Sequence, residues 1–189
     1  MMQKLWQKKL ELNYKSNVLD IVQFGSSMKE ESNPNDIDIA VIFKSIPVRE
    51  QLEEAQKIKR QLEKTSELPI HIVPYDFYTL FDPSNFAKES IIFYGKSIIY
   101  KDYFAKKLGL VPRIHISYSL KKMKKKDKIK FNYTLNGKGG SYGLIRKYGG
   151  KLLKPGLVEI FPEYEDIFIK ALKKLNPQEL NIEKVFFQI

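Results

Sequence analysis

The stretch that decides the fold runs from residue 18 to residue 43 and reads VLDIVQFGSSMKEESNPNDIDIAVIF. Its two ends, residues 18–24 and 36–43, are short apolar runs rich in β-branched side chains, which is the pattern of buried strands. A Gly25-Ser26-Ser27 turn and a polar segment broken by Pro34 separate them. The sequence therefore predicts two neighbouring strands joined through a glycine turn and a loop.

Two aspartates, Asp36 and Asp38, open the second predicted strand. Residues i and i+2 of a strand share a face, so both carboxylates project the same way, with α-carbons about 6.6 Å apart. Magnesium takes oxygen ligands, often one or two carboxylates together with substrate phosphates. A pair of ions about 3.5–4 Å apart can hold the attacking and the leaving oxygen of a phosphoryl displacement. The spacing therefore predicts a metal-binding pair.

The cost of burial favours a functional role for this pair. Asp38 lies inside a continuous apolar run that indicates a strand covered on both faces. Burying a carboxylate costs on the order of several kcal/mol, because the charged group loses its hydration, unless a cation or a metal ion binds it. For Asp36 a solvated sheet edge is the remaining alternative.

A resemblance becomes specific at these residues. Gly25-Ser26, a nine-residue gap and DIDIAV at 36–41 resemble the signature of the DNA polymerase β-type nucleotidyltransferase superfamily, in particular its minimal prokaryotic members. The resemblance extends over residues 1–101, where FYGKSIIY at 93–100 is similar to the segment that closes those minimal domains. It implies an α+β fold in which a mixed β-sheet carries flanking helices.

The resemblance also implies an activity, namely transfer of a nucleoside monophosphate from an NTP to a hydroxyl or similar acceptor, with Mg²⁺ or Mn²⁺. Asp36 and Asp38 would be the catalytic, metal-binding residues. Gly25, Ser26 and Ser27 would contact the nucleotide, because glycine lets the backbone approach a phosphate and hydroxyl and N–H groups can donate to it.

Two positions depart from the family pattern. Family members commonly carry a third carboxylate on the following strand, where this chain has His71, and often arginine and glycine after the Gly-Ser pair. His71 is either a third site residue, acting as a base or a ligand, or a hydrogen-bonded histidine of a half-buried strand. The second interpretation is favoured, since no partner is visible in the sequence. Asp76 is interpreted as a helix N-cap rather than a site residue.

The periodicity of apolar residues in the other segments predicts the remaining helices and strands of two structural units. In residues 1–105 it predicts helices over 3–17 and from Pro47 through Leu62, and a third strand over 68–73. Residues 86–100 are predicted to begin as a helix and to turn at Gly95 into a short extended piece. Residues 106–189 form a smaller basic α+β unit with strands at 114–119, 129–135, 157–161 and 185–189 and helices near 142–148 and 167–175. The chain is thus predicted to contain two domains.

Charge distinguishes the two units. The net charge is +11, and residues 106–189 hold 19 Lys and Arg against 7 Asp and Glu, whereas residues 1–105 hold 14 against 15. Seven of the ten residues 121–130 are lysines: Lys121, Lys122, Lys124, Lys125, Lys126, Lys128 and Lys130. Such a run either binds nucleic acid through its phosphates or is a solvated surface.

Several protein classes are excluded. The chain has no cysteine, so it has neither disulfides nor thiolate metal sites, and a reducing cytoplasm is the expected location. No secretory signal and no apolar run of roughly 20 residues is present. We expect an enzyme whose acceptor is an RNA or tRNA end or a protein. The alternative is a catalytically degenerate protein on the same fold that binds nucleic acid, or an antitoxin-like protein with a protein partner.

Overall fold

The computed structural model describes residues 4–139 and 141–189. The chain separates into two compact units. The first contains the chain up to Met28 together with Ser32–Gly109, and the second contains Lys29–Glu31 together with Leu110–Ile189. Within the described ranges, none of the helices combines the length and the apolar character that crossing a membrane requires.

The first unit is built on a mixed four-stranded sheet. Its strands are β1 (Val18–Phe24), β2 (Ile37–Phe43), β3 (Ile70–Asp76) and β4 (Lys96–Ser97), in the order β3-β2-β1-β4. The β2–β3 pair is parallel, and β1 is antiparallel to both of its neighbours. Helices α1 (Val48–Glu63) and α2 (Phe77–Phe81) flank the sheet, together with short helical turns at Leu5–Gln7, Gly25–Met28, Ser90–Tyr94 and Phe104–Leu108.

Both faces of this sheet are covered, which explains the continuous apolar run of β2. Ile37, Ile39, Val41 and Phe43 pack on one face with residues of α1 and with Leu5. Ala40 and Ile42 pack on the other face against residues of α2 and the two later helical turns. Asp38 has the parity of Ala40 and Ile42, so it lies on this second face, at its edge. The mixed sheet with flanking helices confirms the predicted α+β class.

The predicted helix over residues 3–17 is wrong. Gln3 lies outside the described residues, and beyond the turn Leu5–Gln7 the segment has no helix. Side chains of α1 hold its backbone instead. The Asn13 N–H donates to Gln61 Oε1 and the Asn13 carbonyl accepts from Gln61 Nε2, both at 2.8 Å, and the Lys15 N–H donates to Glu54 Oε1 at 2.9 Å. These bonds satisfy backbone groups that a helix would otherwise satisfy.

Two further boundaries differ from the predictions. Strand β3 runs to Asp76 through Pro74, which is tolerated because β3 is an edge strand. The helix predicted before Gly95 is reduced to one π-helical turn, Ser90–Tyr94, whereas the extended piece predicted after Gly95 is present as β4. Gly95 ends this turn where a Cβ would collide with the Ile91 carbonyl oxygen and the Val22 side chain. Close packing of the turn onto β1 therefore replaces a longer helix.

The second unit is an antiparallel sheet with three helices. Strands β5 (Leu110–Ser119), β6 (Lys151–Lys154), β7 (Leu157–Ile160) and β8 (Glu179–Gln188) are in the order β6-β7-β5-β8. The helices are α3 (Lys125–Asn136), α4 (Leu144–Lys147) and α5 (Glu165–Lys173). Alternate residues of β5 and β7 are buried, as are apolar residues of α3 and α5.

Residues 129–135 form part of helix α3, so the predicted strand there is wrong. The apolar residues Ile129, Phe131, Tyr133 and Leu135 alternate, as in a strand. The structure buries only Phe131 and Leu135, which are four residues apart on one helix face, and leaves Ile129 42% and Tyr133 44% exposed. The lysine run consequently lies at the start of a helix and not between two strands.

Candidate functional site

The candidate site lies where β1 ends and β2 and β3 begin. In the sheet register Phe24 faces Asp38 across the β1–β2 pair, and Asp38 faces His71 across the β2–β3 pair. Gly25 follows Phe24 directly and opens the helical turn Gly25–Met28. Three segments that are far apart in the sequence thus meet at one edge of the sheet.

Gly25 and Asp38 are in close contact. Gly25 has φ +76°, a conformation that favours glycine, and a Cβ built on it would overlap the Asp38 carboxylate. Its N–H donates to the Ser90 hydroxyl at 3.2 Å, which ties the turn to the π-helical segment. The glycine is therefore required twice, for the backbone conformation and for the space that the carboxylate occupies.

The two serines of the turn differ in accessibility. Ser26 is exposed, and its carbonyl accepts a hydrogen bond from the Ser32 hydroxyl at 2.6 Å. Ser27 is buried, and its hydroxyl accepts from Gln23 Nε2 at 3.0 Å and donates to the Phe24 carbonyl at 3.2 Å. The Ser27 hydroxyl therefore serves the fold, and only the main chain of Ser27 is left for the predicted nucleotide contact.

Asp38 and His71 form a hydrogen bond of 3.1 Å between Oδ1 and Nδ1. The Asp38 side chain is 24% exposed and the His71 side chain 63%. An ionised carboxylate only accepts, so His71 carries its proton on Nδ1 in this bond. The structure thus supplies the partner that the sequence did not reveal for His71, and that partner is a predicted metal ligand.

Asp36 lies directly before β2 and is half-buried. The following N–H, that of Ile37, donates to the Pro69 carbonyl at 2.9 Å, which fixes the start of the strand. Among the residues that the structure describes, no lysine or arginine pairs with Asp36 or Asp38. Within the described ranges, no salt bridge to a lysine or an arginine occupies either carboxylate, and both stay candidate metal ligands.

The donor set fits a divalent ion that is bound together with a nucleotide. Within residues 4–139 and 141–189, no cluster of three or more His, Asp or Glu side chains is placed to hold a metal ion. Two carboxylates of the same strand parity remain, Asp36 and Asp38. Magnesium is commonly held by one or two carboxylates while substrate phosphates and water complete its coordination.

Tyr75 is a neighbour of Asp38 that the sequence analysis missed. It lies on β3 with the same parity as His71, and it is half-buried against the second face of the sheet. Burial raises the pKa of the Tyr75 hydroxyl, and the Asp38 charge raises it further. Extending the third predicted strand past Pro74 would have found Tyr75, whereas no sequence pattern pointed to Ser90.

Asp76 caps helix α2, which confirms that prediction. Its Oδ1 accepts from the Thr79 N–H at 2.8 Å, and its own N–H donates to the Thr79 hydroxyl at 3.0 Å. The hydrogen bond from the Thr79 N–H lowers the pKa of the Asp76 carboxyl. Asp76 ends β3, whereas His71 is near its beginning, so Asp76 is not part of the site.

The lysine run occupies the turn before α3 and its first turns. Lys124 is the N-cap residue, no side chain caps the helix, and Asp127 is the one acidic residue of the first turn. Cations at a helix N-terminus are unfavourable by roughly 0.3–1 kcal/mol each where they are exposed, because the helix dipole is positive there. Folding alone therefore does not favour this placement.

Comparison with known proteins identifies the family of the chain. The family model described as nucleotidyltransferase domain matches residues 2–98, just over half of the chain. The match includes the glycine turn, both aspartates and His71. No curated protein and no solved structure matches the chain. The chain therefore belongs to the nucleotidyltransferase domain family, as its resemblance to the polymerase β-type superfamily predicted.

Proposed function

We propose that the first unit transfers a nucleoside monophosphate from an NTP to an acceptor, with Mg²⁺ or Mn²⁺ held by Asp36 and Asp38. Membership of the family supports nucleotidyl transfer in general. The proposed metal site rests on the position of the Asp38 carboxylate. It lies against Gly25, which has φ +76°, and no lysine or arginine of the described residues pairs with it. A half-buried carboxylate without such a partner is costly unless a cation joins it.

The glycine turn is the proposed contact for the triphosphate. The Gly25 N–H is already bonded to Ser90, so Gly25 contributes close approach of the backbone, and the exposed hydroxyl of Ser26 contributes a donor. When bound, the divalent ion would neutralise phosphate charge as it develops during transfer. Positioning and charge neutralisation are the main sources of catalysis in phosphoryl transfer.

His71 is proposed as a positioning residue for Asp38. Its Nδ1–H donates to Asp38 Oδ1 from the neighbouring strand, in the position where family members commonly carry their third carboxylate. Partners that hydrogen-bond a metal ligand orient it, and losing one commonly costs about 10–100-fold in metal affinity or activity. The His71–Asp38 bond would thus fix one carboxylate oxygen and direct the other toward the cation.

The acceptor is proposed to be a nucleic acid, such as an RNA or tRNA end, bound by the basic second unit. The positive excess of residues 106–189 and the lysines at the start of α3 support this, because lysines that neutralise phosphates give salt-sensitive affinity. A protein acceptor is the alternative for the same chemistry.

Transfer of radiolabel from α-labelled NTPs tests the proposal. Purified chain is incubated with Mg²⁺ or Mn²⁺, RNA or protein acceptors, and each NTP in turn. We expect Asp38→Asn to lower labelling by at least about 100-fold, since it removes a charged ligand while keeping the shape. Glu53→Gln, an exposed change in α1, is the matched control. Labelling that is absent from the wild type, or equal in Asp38→Asn, would refute the proposal.

A second candidate function is binding without catalysis on the same fold. The observation that favours it is His71 in place of a third carboxylate, together with the absence of a three-residue metal cluster in the described part of the chain. On this alternative the chain binds nucleic acid, or acts as an antitoxin-like partner of another protein. It predicts nucleic-acid or protein binding that is the same in the wild type and in Asp38→Asn, with no transfer in either.

A further inference from the structure

A groove of about 500 Å³ lies in the second unit, where the end of β5, helix α3 and the turn between β6 and β7 meet. Its volume falls in the range of small-ligand sites. Gly156 brings the β6–β7 turn close to β5. It has φ +87°, its carbonyl accepts from the Tyr118 N–H at 2.8 Å, and a Cβ on it would approach the Tyr118 carbonyl oxygen to 2.9 Å.

Helix α3 presents one row of polar side chains to this groove: Lys128, Asn132 and Asn136. They are four residues apart and therefore share a face of the helix. Asn132 and Asn136 are exposed, and neither side-chain amide is hydrogen-bonded to another residue in the described ranges. Asparagine within a helix is less favourable than alanine, so helix stability does not account for Asn132.

Two cations lie at one end of the groove. Lys121 belongs to the turn before α3, and Lys128 Nζ donates to the Lys121 carbonyl at 3.3 Å, so the Lys128 ammonium lies at that turn. No acidic side chain lines the groove in the part of the chain that the structure describes. The local charge therefore favours an anion.

Part of the lining of the groove is apolar. Leu152, which is 42% exposed, and Pro155 form it, and the half-buried ring of Tyr118 continues it, with its centroid 4.7 Å from that of Phe131. Such a wall can cover the face of a planar group. The groove thus combines cations, an apolar wall and two unpaired amides within one cavity.

We infer that this groove binds one unpaired nucleotide of a single-stranded nucleic acid. The lysines match its phosphate, the apolar wall matches the face of its base, and the amides, which both donate and accept, match the hydrogen-bonding edge of the base. A base in a duplex does not offer its face, and an acidic peptide would use only the lysines. The inference rests on the proposed nucleic-acid binding by this unit, and not on transfer at Asp36 and Asp38.

Fluorescence anisotropy with the full chain tests the inference. The probes are a short labelled RNA of mixed sequence, the same strand with abasic positions, its duplex and a poly-glutamate peptide, each at two salt concentrations. We expect the intact single strand to bind about tenfold more tightly than the abasic strand. Asn132→Ala/Asn136→Ala should remove that preference while the affinity for the abasic strand and the salt dependence stay unchanged.

Two controls separate the groove from general charge attraction. Asn181→Ala removes an exposed amide on β8 and should change nothing. Lys124→Ala/Lys125→Ala/Lys126→Ala should weaken binding of every nucleic-acid probe and flatten its salt dependence, while the preference for intact bases remains. Alanine favours the helix at both asparagine positions, so the double variant should stay folded.

The inference is overturned if the double variant binds the intact strand as tightly as the wild type does, or if duplex or poly-glutamate binds as tightly as the single strand. Asp38→Asn is measured in the same assay. If Asp38→Asn binds the strand normally and the wild type shows no transfer, the proposed activity is refuted and the inference about the groove stands. If the wild type shows transfer but no preference for intact bases, the inference about the groove is refuted and the proposed activity stands.

Discussion

Two aspartates on adjacent strands of one sheet have opposite surroundings. Asp20, in β1, is 0% exposed, accepts from the Ser97 hydroxyl at 2.6 Å and lies 3.5 Å from Lys107 Nζ. Asp38, in β2, lies at the edge of the sheet beside a glycine and a histidine, without a protein cation in the described ranges. The contrast shows that burial alone does not mark a carboxylate as a candidate metal ligand, and that Asp38 is the candidate because no lysine or arginine of the described residues pairs with it.

The Asp20 contacts account for its charge inside the fold. Its Oδ1 also accepts from the Ile21 N–H at 2.8 Å. Lys107 Nζ lies 3.5 Å from Oδ2 and acts on it mainly through its charge. Burial raises the pKa of the Asp20 carboxyl, while Ser97 and Lys107 lower it. Asp20 thus joins β1 to β4 through Ser97 and to the following segment through Lys107, which is a structural role.

The largest effect expected from this comparison comes from Gly25→Ala. The added methyl group would overlap the Asp38 carboxylate and displace it. A misplacement of about 1 Å at a reacting centre can cost on the order of 100-fold, so transfer should fall by at least that factor. The positive φ should also cost roughly 1–2 kcal/mol of stability. Labelling rates and urea unfolding measure the two effects.

Gly109→Ala is the matched control for that variant. Gly109 has φ +74°, almost that of Gly25, but no atom lies within 4 Å of a Cβ built there. It should lose a similar free energy of unfolding and keep full activity. Equal losses of activity in both variants would show that backbone strain, and not contact with Asp38, explains the effect, which would remove the main argument for the site.

The sequence pointed to the candidate site residues, whose role stays a prediction, but not to the partners of Asp20. Asp36, Asp38 and the glycine turn were singled out because a strand fixes side-chain parity and because a carboxylate in an apolar run is costly. The role of Asp20 was not seen, although it lies in the same kind of run. Its partners, Ser97 and Lys107, are about 80 residues away in the sequence, and no local pattern reports such a pairing.

Sequence periodicity also gave a wrong prediction where the same residues fit both the period of a strand and that of a helix. Residues 129–135 alternate like a strand, yet their buried members are four apart, and the surrounding fold selects the helix. The N-terminal segment has helical spacing, but side chains of α1 bind its backbone in a conformation that is not helical. In both cases tertiary contacts override a weak local preference.

A smaller effect, on stability, contrasts the two aspartates directly. Asp20→Ala leaves the buried Ser97 hydroxyl and the Ile21 N–H without their acceptor and should cost about 2–4 kcal/mol of unfolding free energy. Asp38→Ala should cost less than about 1 kcal/mol, because no lysine or arginine of the described residues pairs with it and the site is near the surface. Urea unfolding of both variants measures the contrast, and equal losses would contradict it.

The pH dependence of the Asp20 effect has a definite sign. Since burial raises the pKa of Asp20 in the folded state above its value in the unfolded chain, the folded protein binds the proton more tightly. Ionisation of the carboxyl in the folded state therefore costs stability, and this cost shrinks as the pH falls below the folded-state pKa and is gone below the pKa of the unfolded chain. Wild type should gain stability relative to Asp20→Asn on acidification. If Asp20→Asn gains instead, the carboxyl is stabilised in its charged form.

The smallest expected effect comes from His71, the hydrogen-bond partner of Asp38. His71→Ala removes the donor to Asp38 Oδ1 and should raise the metal concentration for half-maximal activity by about tenfold. His71→Asn places an amide N–H near the position of Nδ1 and should restore most of that loss, because only orientation of Asp38 is required. Titration of transfer activity with Mn²⁺ measures both variants. If His71→Asn stays folded but does not restore activity, His71 contributes more than its hydrogen bond to Asp38. Orientation by a neighbour would then not be enough to explain how Asp38 differs from Asp20.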